Sequence, residues 1–492
     1  MKSIFKYISL LTVVLLLTTS CEDFLDVNTD PNNPTSVTPD LVLPVAQKYT
    51  AQGMSTDRGL SHLGNMMMYN WSQSDGFSWY NDEFLYLVTS SFYQGMFNNV
   101  YNSALKQYQI LDNLEGSDYD NYRAISKIMK AYHFQQLVDL YGDVPYTEAL
   151  QRSNEATPVY DDALSIYTDL IVQLDTAITL IKNAGPAALV PDENGDVIFS
   201  GNMTNWIRMA NSVKLRILVR QSGVSDVSSQ IAAIEAEGTG FITSDVLINP
   251  GYIQEEGKQN PMWNSLGWDV GGTQTLSSKA TCATQYVLDY LASTNDPRID
   301  YIYELPETGH LGVPQGLASD QYDIPVVDQY MPENVSNIGP GILKGFDAGV
   351  NIFSLAELNF LRAEAALNGD HTGDPEVYYN AGIDASFAYL EAPGAADYRS
   401  QSVNLVNYLT SGDKLEAIIT QKWIAVNGIT AEQSWFDYSR TGFPTDLPIS
   451  LVATSSDRPV RLMYPADEIS ANGENVPTQP DPFTDKIFWA GN

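Results

Sequence analysis

Basic side chains are scarce in this sequence: 26 Lys+Arg stand against 60 Asp+Glu among 492 residues, a formal charge of −34. A protein that neutralises a phosphate backbone needs a basic stripe to release counterions, so this balance argues against sequence-independent binding of DNA or RNA. Electrostatic docking on an anionic lipid surface is disfavoured for the same reason. Cysteine is nearly absent, with Cys21 and Cys282 alone. The four histidines, His62, His133, His310 and His371, lie far apart and never form His-Glu-x-x-His. Gly-x-Ser-x-Gly and the phosphate-binding Gly-x-x-x-x-Gly-Lys are missing too, so no catalytic motif stands out. A glycosidase pair of carboxylates is defined by its separation in space, which the sequence does not reveal.

Apolar material is not lacking. With 44% hydrophobic and 11% aromatic residues the chain has a core to build and is expected to fold. Its length exceeds the ~250–300 residues over which one core usually grows, which predicts two lobes or one large composite domain.

Lys2 and Lys6 precede an apolar run over 8–17, followed by Thr18, Thr19, Ser20 and Cys21. This pattern is a signal peptide, because a membrane-crossing helix needs ~20 apolar residues. No later run approaches that length, so the mature body is expected to be soluble. Cys21 sits where a signal peptidase would cut. It could pair with Cys282 in an exported protein. Lipidation of Cys21 is the preferred reading, since several acyl chains together hold a protein on a membrane where one does not. The position three before Cys21 is Thr18, where a lipobox usually has Leu, with Leu17 one further back. Residues 21–40 then form an acidic, polar tether. Its Asp26, Asn28, Asp30 and Asn32 imitate the start of an EF-hand loop, but Pro31 stands where Gly is needed and Val37 where Glu is needed.

The body, 41–492, reads mostly as α-helix. Tyr122, Ile125, Met129 and Tyr132 recur at helical spacing within 119–141, and Gly142 stops that helix. Similar patterns predict helices over 160–181 and 204–221, a hairpin of 353–367 and 375–390, and a final helix over 413–427. Two-helix units of this size suggest tetratricopeptide-like packing, without a clean 34-residue period. The helix over 204–221 carries Arg208, Lys214, Arg216 and Arg220; pairing with carboxylates of a neighbouring helix is favoured over an anion site. The scaffold thus covers about 41–240 and 351–430, with 431–492 as a C-terminal segment. Residues 186–202 and 241–350 are rich in Gly, Pro, Asn and Asp, and loops this long are usually functional. Strand-sized runs such as Val246–Ile248 and 324–327 are few and predict short hairpins. Cys282 is read as a small buried residue on a helix.

Two loops are unusually aromatic. Trp71, Trp79 and Tyr80 fall among Asn70, Asp75 and other polar residues, and Trp263 and Trp268 fall near Asn264 and Asp269. Flat rings beside amides and carboxylates suit a sugar, whose C–H face packs on a ring while its hydroxyls take polar partners. These nine residues are the candidate ligand contacts, the rings for stacking and the polar groups for hydrogen bonds. Anchoring of the loops to the helical body is the alternative for any single ring.

Several segments carry a family resemblance. Asp139-Leu-Tyr-Gly-Asp-Val-Pro-Tyr-Thr-Glu-Ala-Leu150, Trp206-Ile-Arg-Met-Ala-Asn-Ser-Val-Lys-Leu-Arg216 and Phe360-Leu-Arg-Ala-Glu-Ala-Ala366 resemble hallmarks of the SusD/RagB nutrient-binding outer-membrane lipoproteins. So do Gln421-Lys-Trp-Ile-Ala425, Trp435-Phe-Asp-Tyr-Ser-Arg-Thr-Gly-Phe-Pro444 and Arg461-Leu-Met-Tyr-Pro465 with Glu468 and Asn472. Cys21 followed by Glu22 and Asp23 is similar to the acidic signal that sends such lipoproteins to the cell surface. The resemblance implies a helical body of four tetratricopeptide-like pairs, with a loop-rich part carrying the ligand surface. It also implies a SusC-like TonB-dependent transporter as partner, with the lipoprotein as its lid. Most members bind glycans and the RagB-type branch handles peptides, so capture of an oligosaccharide is the preferred function. A peptide ligand is the first alternative and a glycoside hydrolase the second. The shared motifs are expected to be structural, with Arg and Glu in buried pairs. No cofactor is implied, and a loop-ordering calcium ion is left open.

Overall fold

The computed structural model describes residues 38–151, 155–317 and 329–491. The leader, Cys21, most of the tether with its EF-hand imitation, and the run 324–327 lie outside the described residues. The scaffold helices, numbered in chain order, are α1 Pro39–Ser55, α2 Asp120–Tyr141, α3 Ala163–Asn183, α4 Met203–Gln221, α5 Leu355–Leu367, α6 Pro375–Leu390, α7 Lys414–Val426 and α8 Glu432–Thr441. α2 packs along α3 and α3 along α4, while α5 and α6 form a hairpin against which α7 lies. From Asp40 onward the chain forms one compact unit.

Local chemistry sets where these helices begin. The Asp162 side chain accepts from the Ser165 N–H at 2.8 Å, Asn202 from Asn205 at 3.1 Å, Ser354 from Glu357 at 3.0 Å and Asp413 from Glu416 at 3.0 Å. Each such cap satisfies an orphan donor and is worth ~1 kcal/mol. The Asp162 cap also corrects the predicted start at 160, because Tyr160–Asp161 instead pairs antiparallel with Val144–Pro145. α3 is long and apolar enough to cross a membrane by length and composition. Ile166, Tyr167, Leu170, Leu174 and Ile178 form its buried stripe, at the spacing of a helix packed on one face. α7 is not the last helix: α8 and Ala466–Asn472 follow it.

Two glycines are required by close approach. Gly142 ends α2 at φ 78°, and a Cβ there would meet the Arg461 guanidinium at 3.2 Å. Gly64, in the short helix Leu60–Met67, lies so close to α8 that a Cβ would come within 2.0 Å of the Glu432 backbone nitrogen.

The motif charges meet inside. Arg440 holds Glu364 through two bonds of 2.6 and 2.9 Å, and Lys422 sits 2.8 Å from Asp437. Arg220 lies between Asp139 and Asp437 at 3.8 and 3.9 Å, and Arg216 is 3.6 Å from Glu357. Lys214 pairs with Asp175 on α3. Three of the four cations on α4 therefore pair with carboxylates as expected, whereas half-buried Arg208 bonds Asn205 at 3.2 Å. Burial alone would raise the Asp437 carboxyl, but Lys422, Arg220 and Arg440 bring it down to about 2.

The strands pair across the chain, where hairpins were predicted. Trp71–Gln73 runs antiparallel to Thr281–Ala283, and Val246–Ile248 to Val350–Phe353. The loop-rich part also holds short helices at Pro261–Leu266, Leu276–Ala280 and Gln285–Ser293. Cys282 is buried as expected and makes no disulfide among the described residues, but it lies in a strand: opposite Ser72 its side chain packs with Val313 and Val335.

Candidate functional site

The strand pair Trp71–Gln73 with Thr281–Ala283 brings the two aromatic loops together. The turn after α1 fastens them. Asp57 N–H donates to Ser265 Oγ at 3.1 Å, Ser277 Oγ donates to Asp57 Oδ2 at 2.9 Å, and Arg58 Nη2 donates to the Trp79 carbonyl at 2.7 Å.

The candidate contacts fare differently. Trp71 is 1% exposed, edge-on to His62 at 5.6 Å, and Tyr80 is fully buried with its hydroxyl 2.9 Å from Thr281 Oγ1. Asn70 is fully buried and donates to Asn65 Oδ1 at 3.1 Å. These three fill the core behind the loop and offer no face to a ligand, which corrects their assignment. Asp75 and Asp269 spend oxygens on their own turns, accepting from Gly76 at 2.9 Å and from Gly271 and Thr273 at 2.8 Å. Trp79 is half-buried against Phe77, and Trp263 and Trp268 are half-buried with ring centres 4.6 Å apart. Asn264 is exposed, on the rim of a cleft.

That cleft has a volume of about 870 Å³ and opens between the end of α1, the segment 91–104, the C-terminal half of α2 and 257–265. Ligand sites typically span ~300–1,000 Å³. Gln52, Arg58 and Asn264 are exposed at its mouth; His133, Leu137 and Leu140 lie buried at its floor. Tyr49, Phe92 and Tyr93 add aromatic wall. The backbone here is unusual. Arg58 and Tyr93 sit at φ 57° and 52°, and residues Val100–Leu105 form a π-helix. Such features cost energy and cluster at functional sites.

The polar groups are arranged in a directed chain. Tyr93 Oη donates to Glu83 Oε1 at 3.0 Å, so His62 Nδ1 donates to Tyr93 Oη at 2.8 Å. His62 Nε2 is left facing Asp57 Oδ1 at 3.5 Å. Burial pushes the His62 imidazole down to about 4, with Asp57 opposing and Arg58 reinforcing. Deeper in, Thr50 Oγ1 donates to the Ala46 carbonyl at 3.1 Å, so His133 Nε2 donates to Thr50 at 2.8 Å. His133 Nδ1 then presents a lone pair without a protein partner, and burial holds this imidazole neutral, at about 3. Burial also raises the Glu83 carboxyl, against the Tyr93 bond and Arg58. Among the described residues, no group of three or more His, Cys, Asp or Glu gathers as a metal site would.

Asp57, Arg58, Tyr93 and His133 are absent from the sequence-derived set. His133 lies on the apolar face of α2 and reads as core; Asp57 and Arg58 read as a helix breaker. The one available signal was Asp-Arg-Gly between two apolar helical stretches, which marks a turn without saying what the turn holds.

The mostly helical fold of this chain recurs in solved structures. A chitin-binding protein is 26% identical, with TM-score 0.74, over 92% of this chain and 100% of its own. A chitin-binding SusD homolog from Flavobacterium johnsoniae is 22% identical, with TM-score 0.75, over 92% and 99%. A SusD homolog from Bacteroides fragilis is 23% identical, with TM-score 0.71, over the same shares. No curated protein matches. The family described as starch-binding associating with outer membrane, SusD-like, matches residues 31–465, and the chain belongs to it.

Proposed function

We propose that this protein captures an oligosaccharide at the cell surface, held there by a lipid on Cys21, and delivers it to a SusC-like TonB-dependent transporter barrel. The cleft carries this reading: its ~870 Å³ accommodates several sugar rings, with aromatic walls for their C–H faces and polar groups for their hydroxyls. Half-buried Trp79, Trp263 and Trp268 extend the aromatic surface beside it. The family description and the chitin-binding relative support a carbohydrate ligand. Binding without turnover is the preferred activity, as the relatives are described by what they bind.

Calorimetry of the purified protein against a panel of oligosaccharides tests capture. Saturable binding of one glycan class is expected, and failure of every glycan alongside binding of peptides would replace this reading with a peptide-capture one. Release of reducing sugar from any bound glycan would overturn the assignment as a pure binder. Delivery predicts a barrel protein that co-purifies from outer membranes, and lipidation predicts loss of membrane attachment in Cys21→Ser.

A further inference from the structure

We propose that the ligand enters the cleft through a protonated amine, so that the captured sugar is an amino sugar with a free ammonium group. This rests on the cleft being the ligand site. Four buried side-chain atoms of the cleft residues lack a protein hydrogen-bond partner: Asp57 Oδ1, Gln94 Oε1, His133 Nδ1 and Gln259 Oε1. All four are acceptors. Gln259 Nε2 is already committed to the Trp268 carbonyl at 3.0 Å, and the His133 tautomer is fixed by Thr50. His133 is 3% exposed, so its lone pair is built into the floor.

Charge favours the same ligand. Asp57, Asp82 and Glu83 line the cleft, and among the described residues lining it Arg58 is the one Lys or Arg. Its guanidinium is turned to the Trp79 carbonyl and lies 3.7 Å from Glu83, with its side chain 57% exposed. An ammonium group is donor-only, with three N–H bonds and a positive charge, which matches these unpaired acceptors and the carboxylates around them. Tyr49, Phe92 and Tyr93 supply ring faces on which a cation gains further. A bare metal ion would leave most of the ~870 Å³ unfilled.

Calorimetry at about pH 6 and low salt, with β-1,4-linked tetramers of glucosamine, N-acetylglucosamine and glucose, tests this. The glucosamine tetramer is expected to bind at least about tenfold tighter than either neutral one. Asp57→Asn and Glu83→Gln should each erase most of that preference, weakening the glucosamine tetramer more than either neutral one. Because the whole chain is acidic, the exposed Asp118→Asn serves as control and should change nothing. In the unsubstituted protein, raising salt from about 50 to about 500 mM should weaken the glucosamine tetramer alone. Equal affinity for the three tetramers, or a preference untouched by Asp57→Asn and by salt, would overturn the amine assignment and leave sugar capture standing. Failure of all three to bind would overturn the amine assignment and leave sugar capture to be decided by the wider glycan panel.

Discussion

The ion layer among α4, α5, α7 and α8 and the cleft beside α1 both bury charge, in opposite ways. In the layer each cation has a carboxylate within 4 Å: Arg440 with Glu364, Lys422 with Asp437, Arg220 with Asp139. In the cleft, four buried acceptors, Asp57 Oδ1, Gln94 Oε1, His133 Nδ1 and Gln259 Oε1, make no protein hydrogen bond. Desolvating a charge costs several kcal/mol unless a partner compensates it. The layer therefore balances its charges internally and serves the scaffold, although Arg216 Nη1 and Nη2 and both Glu357 oxygens make no hydrogen bond there either, whereas the cleft adjoins an open volume that a ligand can enter.

The sharpest way to break this contrast is to remove one partner from each region. Arg440→Ala strands Glu364 and is expected to cost ~3–5 kcal/mol in urea unfolding, with Trp71→Ala comparable through the cavity it leaves. If Arg440→Ala costs no more than an exposed substitution, the layer is not a closed structural unit.

Protonation gives the next largest effect. Burial pushes the Glu432 carboxyl up to about 7, with Glu357 adding to it and Arg216 opposing. The folded state then keeps a proton that the unfolded chain releases above about 4.5, so this group's contribution to stability falls as pH rises from about 4.5 to about 7 and is flat beyond. Glu432→Gln should remove that fall, gaining up to ~3 kcal/mol relative to the unsubstituted protein by pH 8. His62 and His133 act in the other direction. Held at about 4 and about 3, they stay neutral while the unfolded chain protonates below about 6.5, so stability drops as pH falls through that window. A melting temperature difference between Glu432→Gln and the parent that does not widen from pH 5 to pH 8 would contradict the assignment.

In the cleft the expected stability effect is small. Glu83→Gln removes a buried carboxyl that its partners only partly compensate and should shift stability by less than ~1 kcal/mol, in contrast to the layer. Similarly small is the stability effect of Trp263→Ala: its half-buried ring should cost ~1 kcal/mol, with the loss showing instead in glycan affinity.

Much of the scaffold was legible because helical periodicity and capping residues act locally. Of the helical stripe Leu164, Tyr167, Ile171, Leu174 and Ile178, the residues Tyr167, Leu174 and Ile178 are buried while Leu164 is exposed, because the buried face is shifted to Ile166 and Leu170. The Asp374-Pro375 start of α6 is plain, and α6 runs over the predicted 375–390. The strands were not legible as pairs, since Trp71 and Ala283 meet only through tertiary packing. The same limit governed the site. Aromatic loops were located, but composition does not tell a ring that faces a ligand from one that fills the core, and Trp71, Tyr80 and Asn70 turned inward. The cleft's own acceptors come from α2, the turn after α1 and segment 91–104, whose convergence no local pattern encodes.

One substitution tests the cleft most directly. Gly53 lies exposed at its mouth on α1, and a Cβ there would have nothing within 4 Å. Gly53→Trp should therefore leave the fold intact, since a glycine within a helix is itself unfavourable by ~1 kcal/mol, while the indole closes the entrance. Calorimetry with the tightest-binding oligosaccharide is predicted to show at least about tenfold weaker binding, at an unchanged melting temperature. Full affinity in Gly53→Trp would contradict the account and move the ligand site out of the cleft.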